Sequence, residues 1–297
     1  MTAVTAAEQS ATLMELAACG SLEMNADRAG DAGTIADLLP TGTKVYVNHL
    51  PRNALSETLK SLDALRAAGL EPVPHVAARR VVSRAALKDF LQRAVRDAGV
   101  RKVLLIGGDD PQPSGPYRDS LGPLSDGLIA ECGIQEIGIA GYPEGHARIP
   151  RAALERAMDE KLALSAAQGL SPYVLTQFSF APTRVIEYCA ELAQRWPALS
   201  VYVGLAGPTE PVRLLRFAQR CGVSASLRAL RAQGFGVARL VTHTDPGDQL
   251  QAVARYCAPR RACNVVGVHV FSFGGVREAA TWMNRAIGGG ALSAAAG

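Results

Sequence analysis

The sequence lacks several patterns that would assign it to whole classes of proteins. No apolar run reaches the roughly 18 residues that a membrane-spanning helix needs. Residues 1–10 lack a basic segment followed by an apolar stretch, so we expect no secretory signal. The net charge is only +4, and no run of Lys or Arg stands out, which argues against a nucleic-acid partner. These absences predict a cytoplasmic protein that uses no membrane.

The cysteines lack the spacing of a zinc site. None of the six belongs to a CxxC pair, which argues against structural zinc. We therefore expect six free thiols, mostly buried, in a reducing compartment. The six are Cys19, Cys132, Cys189, Cys221, Cys257 and Cys263.

What the chain does contain is an alternation of apolar strand patterns and amphipathic helical patterns. Of its 297 residues, 48% are hydrophobic, which is enough for a large core. Several strand patterns are continuous apolar runs, typical of a parallel sheet that is buried on both faces. Eight strands are predicted, at residues 20–24, 44–48, 71–76, 102–107, 136–140, 173–178, 200–205 and 265–271.

Eight strands separated by helices predict an α/β fold of the (β/α)8 TIM-barrel type in a single domain. The main alternative is an open, doubly wound sheet, but its GxGxxG turn is missing after the first strand, where residues 25–27 are Asn-Ala-Asp. We expect a leading helix at residues 1–15, the barrel at residues 16–288 and a mobile Gly/Ala-rich tail at residues 289–297.

Polar residues follow the predicted strands at their carboxyl ends, where a (β/α)8 barrel carries its chemistry. We expect Glu23 to end the first strand, His75 to end the third and Gln177 to lie in the sixth. A buried carboxamide without partners costs roughly 1–3 kcal/mol, so Gln177 either binds a heterocycle such as a pterin or points to solvent. His49 and His269 are as readily explained as hydrogen-bonded structural residues.

Gly107 and Gly108 directly follow an apolar strand. Glycine lets a ligand approach the backbone, and amides in such a loop can bind an anion or a flavin edge. The carboxylates of Asp109 and Asp110 suggest a metal site or recognition of a base-like heterocycle, with a plain turn as the alternative. Residues 111–116 supply no charged ligand, so we expect no metal site.

Taken together, these segments resemble the methylenetetrahydrofolate reductase family. The resemblance extends over about residues 20–287, and its segments occur in the family's order. The matching segments are Ser21-Leu22-Glu23, His75, residues 105–111 (LIGGDDP), residues 142–146 (YPEGH), residues 176–180 (TQFSF) and, more loosely, residues 269–275 (HVFSFGG).

The family is a (β/α)8 barrel that binds FAD and interconverts 5,10-methylene- and 5-methyltetrahydrofolate. The resemblance implies that Glu23 is the general acid that helps to open the imidazolidine ring. It implies that Asp109 binds the pterin near the flavin and that Gln177 also contacts the pterin. NADH or NADPH would be the reductant. The FAD contacts implied by the resemblance are His75, Gly107, Gly108, Asp109, Tyr142, His146 and Lys161.

Departures from the family pattern keep other functions open. Gly107 stands where the family usually carries Arg, and residues 24–27 (MNAD) replace an aromatic and proline stretch. The missing Arg at Gly107 favours, as an alternative, a flavin-independent folate-binding barrel that uses a nicotinamide directly or transfers a methyl group. A non-catalytic folate-binding barrel and a barrel with unrelated chemistry also stay open. Assembly of the chain into a homo-oligomer is also possible on the sequence alone.

Overall fold

The computed structural model describes residues 4–49, 55–221, 223, 246–259 and 263–290. Eight parallel strands are hydrogen-bonded in chain order as a closed barrel. The prediction of a (β/α)8 barrel in a single domain is therefore confirmed, and the open-sheet alternative is wrong. The strands are β1 (Ser21–Asn25), β2 (Lys44–Asn48), β3 (Glu71–Ala77), β4 (Lys102–Ile106), β5 (Glu136–Gly141), β6 (Ser171–Thr176), β7 (Ser200–Ala206) and β8 (Val265–Phe271).

Helices alternate with these strands in the described part of the chain. Short 3₁₀ turns at Ala29–Asp31 and Ala78–Arg80 follow β1 and β3. The α-helices are α1 (Ala6–Ala18), α2 (Ala32–Leu38), α3 (Leu55–Ala67), α4 (Arg84–Ala98), α5 (Leu121–Ser125), α6 (Leu128–Glu131), α7 (Arg151–Ala167), α8 (Pro182–Arg195), α9 (Pro211–Arg220), α10 (Pro246–Cys257) and α11 (Val276–Ile287).

Capping residues fix the ends of the regular helices. The Ser83 hydroxyl accepts a hydrogen bond from the Ala86 N–H at the start of α4, and Gly99 ends that helix with a left-handed φ of 65°. Pro182 occupies the first turn of α8, where its missing N–H costs nothing. At the amino terminus, Thr5 and Glu8 form a capping box for α1.

The predicted segment boundaries stay predictions. The leading helix was expected at residues 1–15, and α1 extends over Ala6–Ala18. Most of the expected mobile tail, from residue 291 onward, lies outside the described residues.

Contacts between Cα atoms group the chain into two compact units, each assembled from separate segments. Unit 1 comprises Met1–Glu23, Gly141–Ala147 and Leu175–Gly297. Unit 2 comprises Met24–Ala140 and Arg148–Val174.

The core of unit 2 lies around the paired strands β2, β3, β4 and β5. Strand β3 runs parallel to both β2 and β4, and β4 runs parallel to β5. Most residues of β2 to β4 are buried, as expected for strands covered on both faces. The Tyr46 hydroxyl donates a hydrogen bond of 2.9 Å to the Tyr173 hydroxyl, so these two buried phenols satisfy each other.

The core of unit 1 contains an aromatic cluster beyond the ends of β6, β7 and β8. Phe178 meets Phe271 and Phe273 edge-on, with ring centroids 5.6 Å and 5.2 Å apart, and Phe217 lies 4.9 Å from Phe273. Such arrangements suit the aromatic quadrupole. Phe273 has a φ of 49°, a left-handed conformation that costs strain in a bulky residue, and its burial in this cluster offsets that cost.

Candidate functional site

Strands β1 and β8 carry a buried polar pair directly below Glu23. Ser21 lies opposite His269 in the parallel register. The Ser21 Oγ and the His269 Nδ1 are 2.9 Å apart, and both residues are completely buried. Glu23 is two residues further along β1, so its side chain lies on the same face of the strand as Ser21. A buried hydrogen bond thus supports the strand segment that carries the carboxyl group.

The position of Glu23 differs from the prediction. Glu23 was expected to end β1, but the strand continues to Asn25, so Glu23 is the third of five residues. It is half-buried between the fully buried Leu22 and Met24. A side chain in this position is held by the strand rather than by a loop.

Gln177 and the segment after β5 line one cleft in unit 1. The cleft is lined by Tyr142, Pro143, Glu144, Gly145, Gln177, Phe178, Cys221 and Val223. Two segments predicted separately, residues 142–146 and 176–180, therefore meet. The Gln177 backbone N–H donates to the Gly141 carbonyl at 2.8 Å, which fixes the two segments side by side.

Gln177 lies just beyond its strand rather than inside it, because β6 ends at Thr176. The prediction of a strand position is therefore wrong by one residue. The half-buried carboxamide turns back so that its Oε1 accepts a hydrogen bond of 3.1 Å from the Phe178 N–H. That hydrogen bond fixes the orientation of the carboxamide, with its oxygen toward the Phe178 N–H.

Tyr142 and His146 form an aromatic pair on the loop after β5. Their rings meet edge-on with centroids 5.1 Å apart. Behind them, burial raises the pKa of Tyr188, whose hydroxyl contacts the Tyr142 backbone. This phenol stays protonated near neutral pH and anchors the start of the loop.

His75 lies inside β3 rather than at its end. The strand continues two residues further, to Ala77, and His75 is opposite Leu104 of β4. Burial lowers the pKa of His75 to about 3, and the neighbouring His49 adds to the shift. The imidazole is therefore neutral at physiological pH. Its ring meets Tyr46 edge-on at 6.0 Å.

The loop after β4 is tied to the turn after β3. The Arg79 N–H donates to the Gly107 carbonyl at 3.0 Å. Gly108 has a φ of 90°, which only glycine adopts without strain. A Cβ atom at Gly107 would meet no atom of the described residues within 4 Å, so the backbone there is open to a ligand.

The two carboxylates of this loop have different surroundings. Asp110 accepts a 2.6 Å hydrogen bond from Arg80 Nε, and the two side chains are 29% and 14% exposed. Arg79 also donates to the Asp110 carbonyl at 2.9 Å and to the Arg118 carbonyl at 2.7 Å. Asp109 is 72% exposed, with Arg148 Nη2 at 4.0 Å. Asp110 therefore holds the loop in place, while Asp109 projects from it.

Lys161 lies in the middle of α7, ten residues after the first residue of the helix, Arg151. At 1.5 Å per residue this is about 15 Å along the axis. Burial lowers the pKa of Lys161, and Asp119 partly opposes the shift. The implied contact of Lys161 with flavin phosphates stays a prediction.

Sequence reasoning missed the supporting residues of these sites. Nothing in the sequence linked Ser21 to His269, 248 positions away. Arg79 and Arg80, in the turn that follows β3, were a usable signal, because two adjacent arginines near a strand end need acidic or carbonyl partners. It was not connected with Asp110.

Among the described residues, no group of three His, Cys, Asp or Glu side chains is placed to hold a metal ion. Within the same residues, no helix combines the length and the apolar character needed to cross a bilayer.

No protein-family model matches the chain. One similar solved structure is dihydropteroate synthase (FolP) from Thermus thermophilus, with 14% identity, coverage of 88% of this chain and 91% of that chain, and a TM-score of 0.45. Another is a "putative phosphonomutase" from Burkholderia cenocepacia, with 15% identity, coverage of 77% and 99%, and a TM-score of 0.45. Similarity at this level carries no information about ligands or activity.

Proposed function

We propose that this barrel is an oxidoreductase that interconverts 5,10-methylene- and 5-methyltetrahydrofolate by hydride transfer through FAD. The observation that carries the proposal is that the segments resembling the reductase family meet in pairs. Residues 21–22 lie beside residues 269–270, His75 lies beside the strand that leads into Gly107, and residues 142–145 share a cleft with Gln177. Each pair includes a segment that carries at least one residue for which the resemblance implies a role.

Glu23 is the proposed general acid. Opening the imidazolidine ring requires a proton for the departing folate nitrogen, and an acid that works near neutral pH needs a protonated carboxyl group. Glu23 is half-buried between two completely buried apolar residues, and burial favours the neutral form of a carboxylic acid. The Ser21–His269 hydrogen bond keeps its strand in register.

Asp109 and Gln177 are the proposed pterin ligands. The N–H groups along the edge of a pterin need acceptors, and an exposed carboxylate such as that of Asp109 offers two oxygens to them. Gln177 can donate from its amide nitrogen while its oxygen accepts from Phe178. A carboxamide oriented in this way distinguishes donors from acceptors on a heterocycle.

The residues assigned to FAD fit a flat aromatic cofactor. The backbone at Gly107 and at Gly145 has no described atom within 4 Å of the position a Cβ would take, so a ring can approach it closely. His75 is neutral and can donate through one ring nitrogen. Tyr142 and His146 add aromatic surface. When bound, FAD would accept and donate the hydride.

A flavin-independent folate barrel is the second candidate. One observation favours it: Gly107 carries no side chain where the family's flavin loop usually has Arg. In this version a nicotinamide would transfer the hydride directly, or the site would move a methyl group, with Glu23, Asp109 and Gln177 in the same roles.

Cofactor binding separates the two candidates. The purified chain is incubated with FAD, freed of excess and examined by absorbance spectroscopy, in parallel with a folate-binding titration. Retained flavin together with folate binding supports the proposed function. Folate reduction by NADH or NADPH without flavin supports the second candidate. A protein that binds neither flavin nor folate would refute both.

A further inference from the structure

The cysteines of unit 1 include one close pair that the proposed function does not use. Cys257 is the last residue of α10, and Cys263 lies two residues before the first residue of β8. Their Sγ atoms are 2.8 Å apart. A disulfide bond is about 2.05 Å long, so the two sulfur atoms need to move by less than about 1 Å to bond.

The two thiols differ in access to solvent. Cys263 is half-buried, whereas Cys257 is buried at 6% exposure. An oxidant from solution therefore reaches Cys263 first. Cys257 is then in place as the resolving thiol, an arrangement found in reversible thiol oxidation.

We infer that Cys257 and Cys263 form a peroxide-sensitive dithiol that closes to a disulfide between the end of α10 and the start of β8. The oxidant is a hydroperoxide, for which hydrogen peroxide is the simplest example. The inference does not depend on the proposed folate chemistry.

The reaction balances in two steps. The deprotonated Cys263 sulfur attacks one peroxide oxygen, the O–O bond breaks, and the other oxygen leaves as water after taking up a proton, which leaves a sulfenic acid. The Cys257 sulfur then attacks the Cys263 sulfur, the S–O bond breaks, and a second water leaves with the Cys257 proton. Two thiols are oxidised and one hydrogen peroxide is reduced to two waters.

Cys189 is the matched control in the same unit. It is also buried, and burial raises its pKa to about 12, with an added contribution from Cys263. A thiol that stays protonated is a poor nucleophile. Cys189 is therefore expected to take no part in the disulfide, although it lies within electrostatic range of Cys263.

Tryptic mapping of the full chain tests the inference. Cleavage after arginine places Cys257 in the peptide of residues 256–260 and Cys263 in that of residues 262–277, so a disulfide joins two separate peptides. The chain is treated with hydrogen peroxide, the remaining thiols are alkylated after denaturation, and the peptides are identified by mass. The linked pair weighs about 2 Da less than the sum of the two reduced peptides, because two hydrogens are lost.

We expect the linked pair in the wild-type chain and in Cys189→Ser, and its absence in Cys263→Ser. The exposed Cys19 serves as the internal control that the oxidant has acted. If Cys19 is oxidised while Cys257 and Cys263 are both recovered alkylated, the inference is refuted. A link from either of them to Cys189 would refute it as well.

Discussion

Glu23 lies within an apolar strand and Asp109 lies on the loop that follows another, and their surroundings differ. Glu23 lies within β1, half-buried, above the buried hydrogen bond between Ser21 and His269. Asp109 lies on a loop after β4 and is 72% exposed, and the loop beneath it is fixed by the Arg80–Asp110 ion pair. One carboxyl group is held by a strand and shielded from water, and the other is presented to solvent.

This difference fits the different tasks proposed for the two carboxyl groups. Shielding from water favours the neutral acid, which is the form that donates a proton. Exposure on an anchored loop favours a carboxylate that meets a ligand on binding. Enzymes that use two carboxyl groups commonly separate their roles by environment in this way. The predictions below test the separation in order of decreasing effect.

Replacement of the strand-held acid has the largest expected effect. Glu23→Gln keeps the shape of the side chain but removes the proton donor, so folate turnover falls by about 10²- to 10⁴-fold. Flavin reduction by a nicotinamide does not need this proton and stays largely intact. Both half-reactions are measured separately by rapid mixing.

The control for this variant is Glu71→Gln, another half-buried strand glutamate, which begins β3 and pairs with Lys102 at 3.3 Å. Its turnover should match the wild type. An equal loss of both half-reactions in Glu23→Gln would remove the assignment of Glu23 as the acid.

Replacement of the two loop carboxylates should have different effects: one variant should lose folate affinity and the other should lose thermal stability. Asp109→Asn loses a charge-assisted hydrogen bond to the pterin and should weaken folate binding by about 10- to 100-fold, with thermal stability unchanged. Asp110→Asn breaks the ion pair with Arg80 and should lower the melting temperature. Folate affinity by calorimetry and melting by circular dichroism measure the two effects. Unchanged folate affinity in Asp109→Asn would contradict its proposed role.

The buried His75 makes stability depend on pH. Its pKa is about 3 in the folded chain and near 6.5 when unfolded, so its full contribution is present above pH 6.5. As pH falls from 6.5 toward 3, His75 becomes protonated in the unfolded chain but stays neutral in the folded chain. The free energy of unfolding therefore falls by about 1.4 kcal/mol per pH unit from this group. Denaturation of wild type and His75→Gln at pH 7.5 and pH 5 measures this slope, which should be smaller in the variant; equal slopes would contradict the shift.

The smallest expected effect concerns the support below Glu23. Ser21→Ala removes one partner of the buried pair with His269 and should destabilise the chain by about 1–3 kcal/mol. Turnover per folded molecule should fall less than in Glu23→Gln. A loss of turnover as large as in Glu23→Gln would show that Ser21 takes part in the chemistry rather than in support of the strand.

The fold was largely predictable because burial on both strand faces produces apolar runs. Residues 103–106, Val-Leu-Leu-Ile, mark β4 without ambiguity, and the observed strand is Lys102–Ile106. The ends of strands were harder to predict. β1 continues through Asn25 and β6 begins at Ser171-Pro172, and Asn, Ser and Pro are not residues that a strand pattern favours.

The candidate site was predictable only as separate pieces. Glu23, Asp109 and Gln177 stand out because polar residues are rare beside buried strands. The residues that support these segments lie at distant positions in the sequence. Arg80, which holds the loop of Asp109 through Asp110, is 30 residues before Asp110. Sequence spacing carries no information on such long-range contacts, so the role of Asp110 as a loop anchor became visible only in the structure.

The central claim is that this barrel transfers a hydride between a bound flavin and a folate. Its most direct test is an anaerobic titration of the FAD-loaded chain with 5-methyltetrahydrofolate, followed by absorbance spectroscopy. The account predicts bleaching of the oxidised-flavin absorbance as the folate gives up its hydride, and little bleaching in Glu23→Gln. An oxidised spectrum that stays unchanged in the wild-type chain at saturating folate would contradict it.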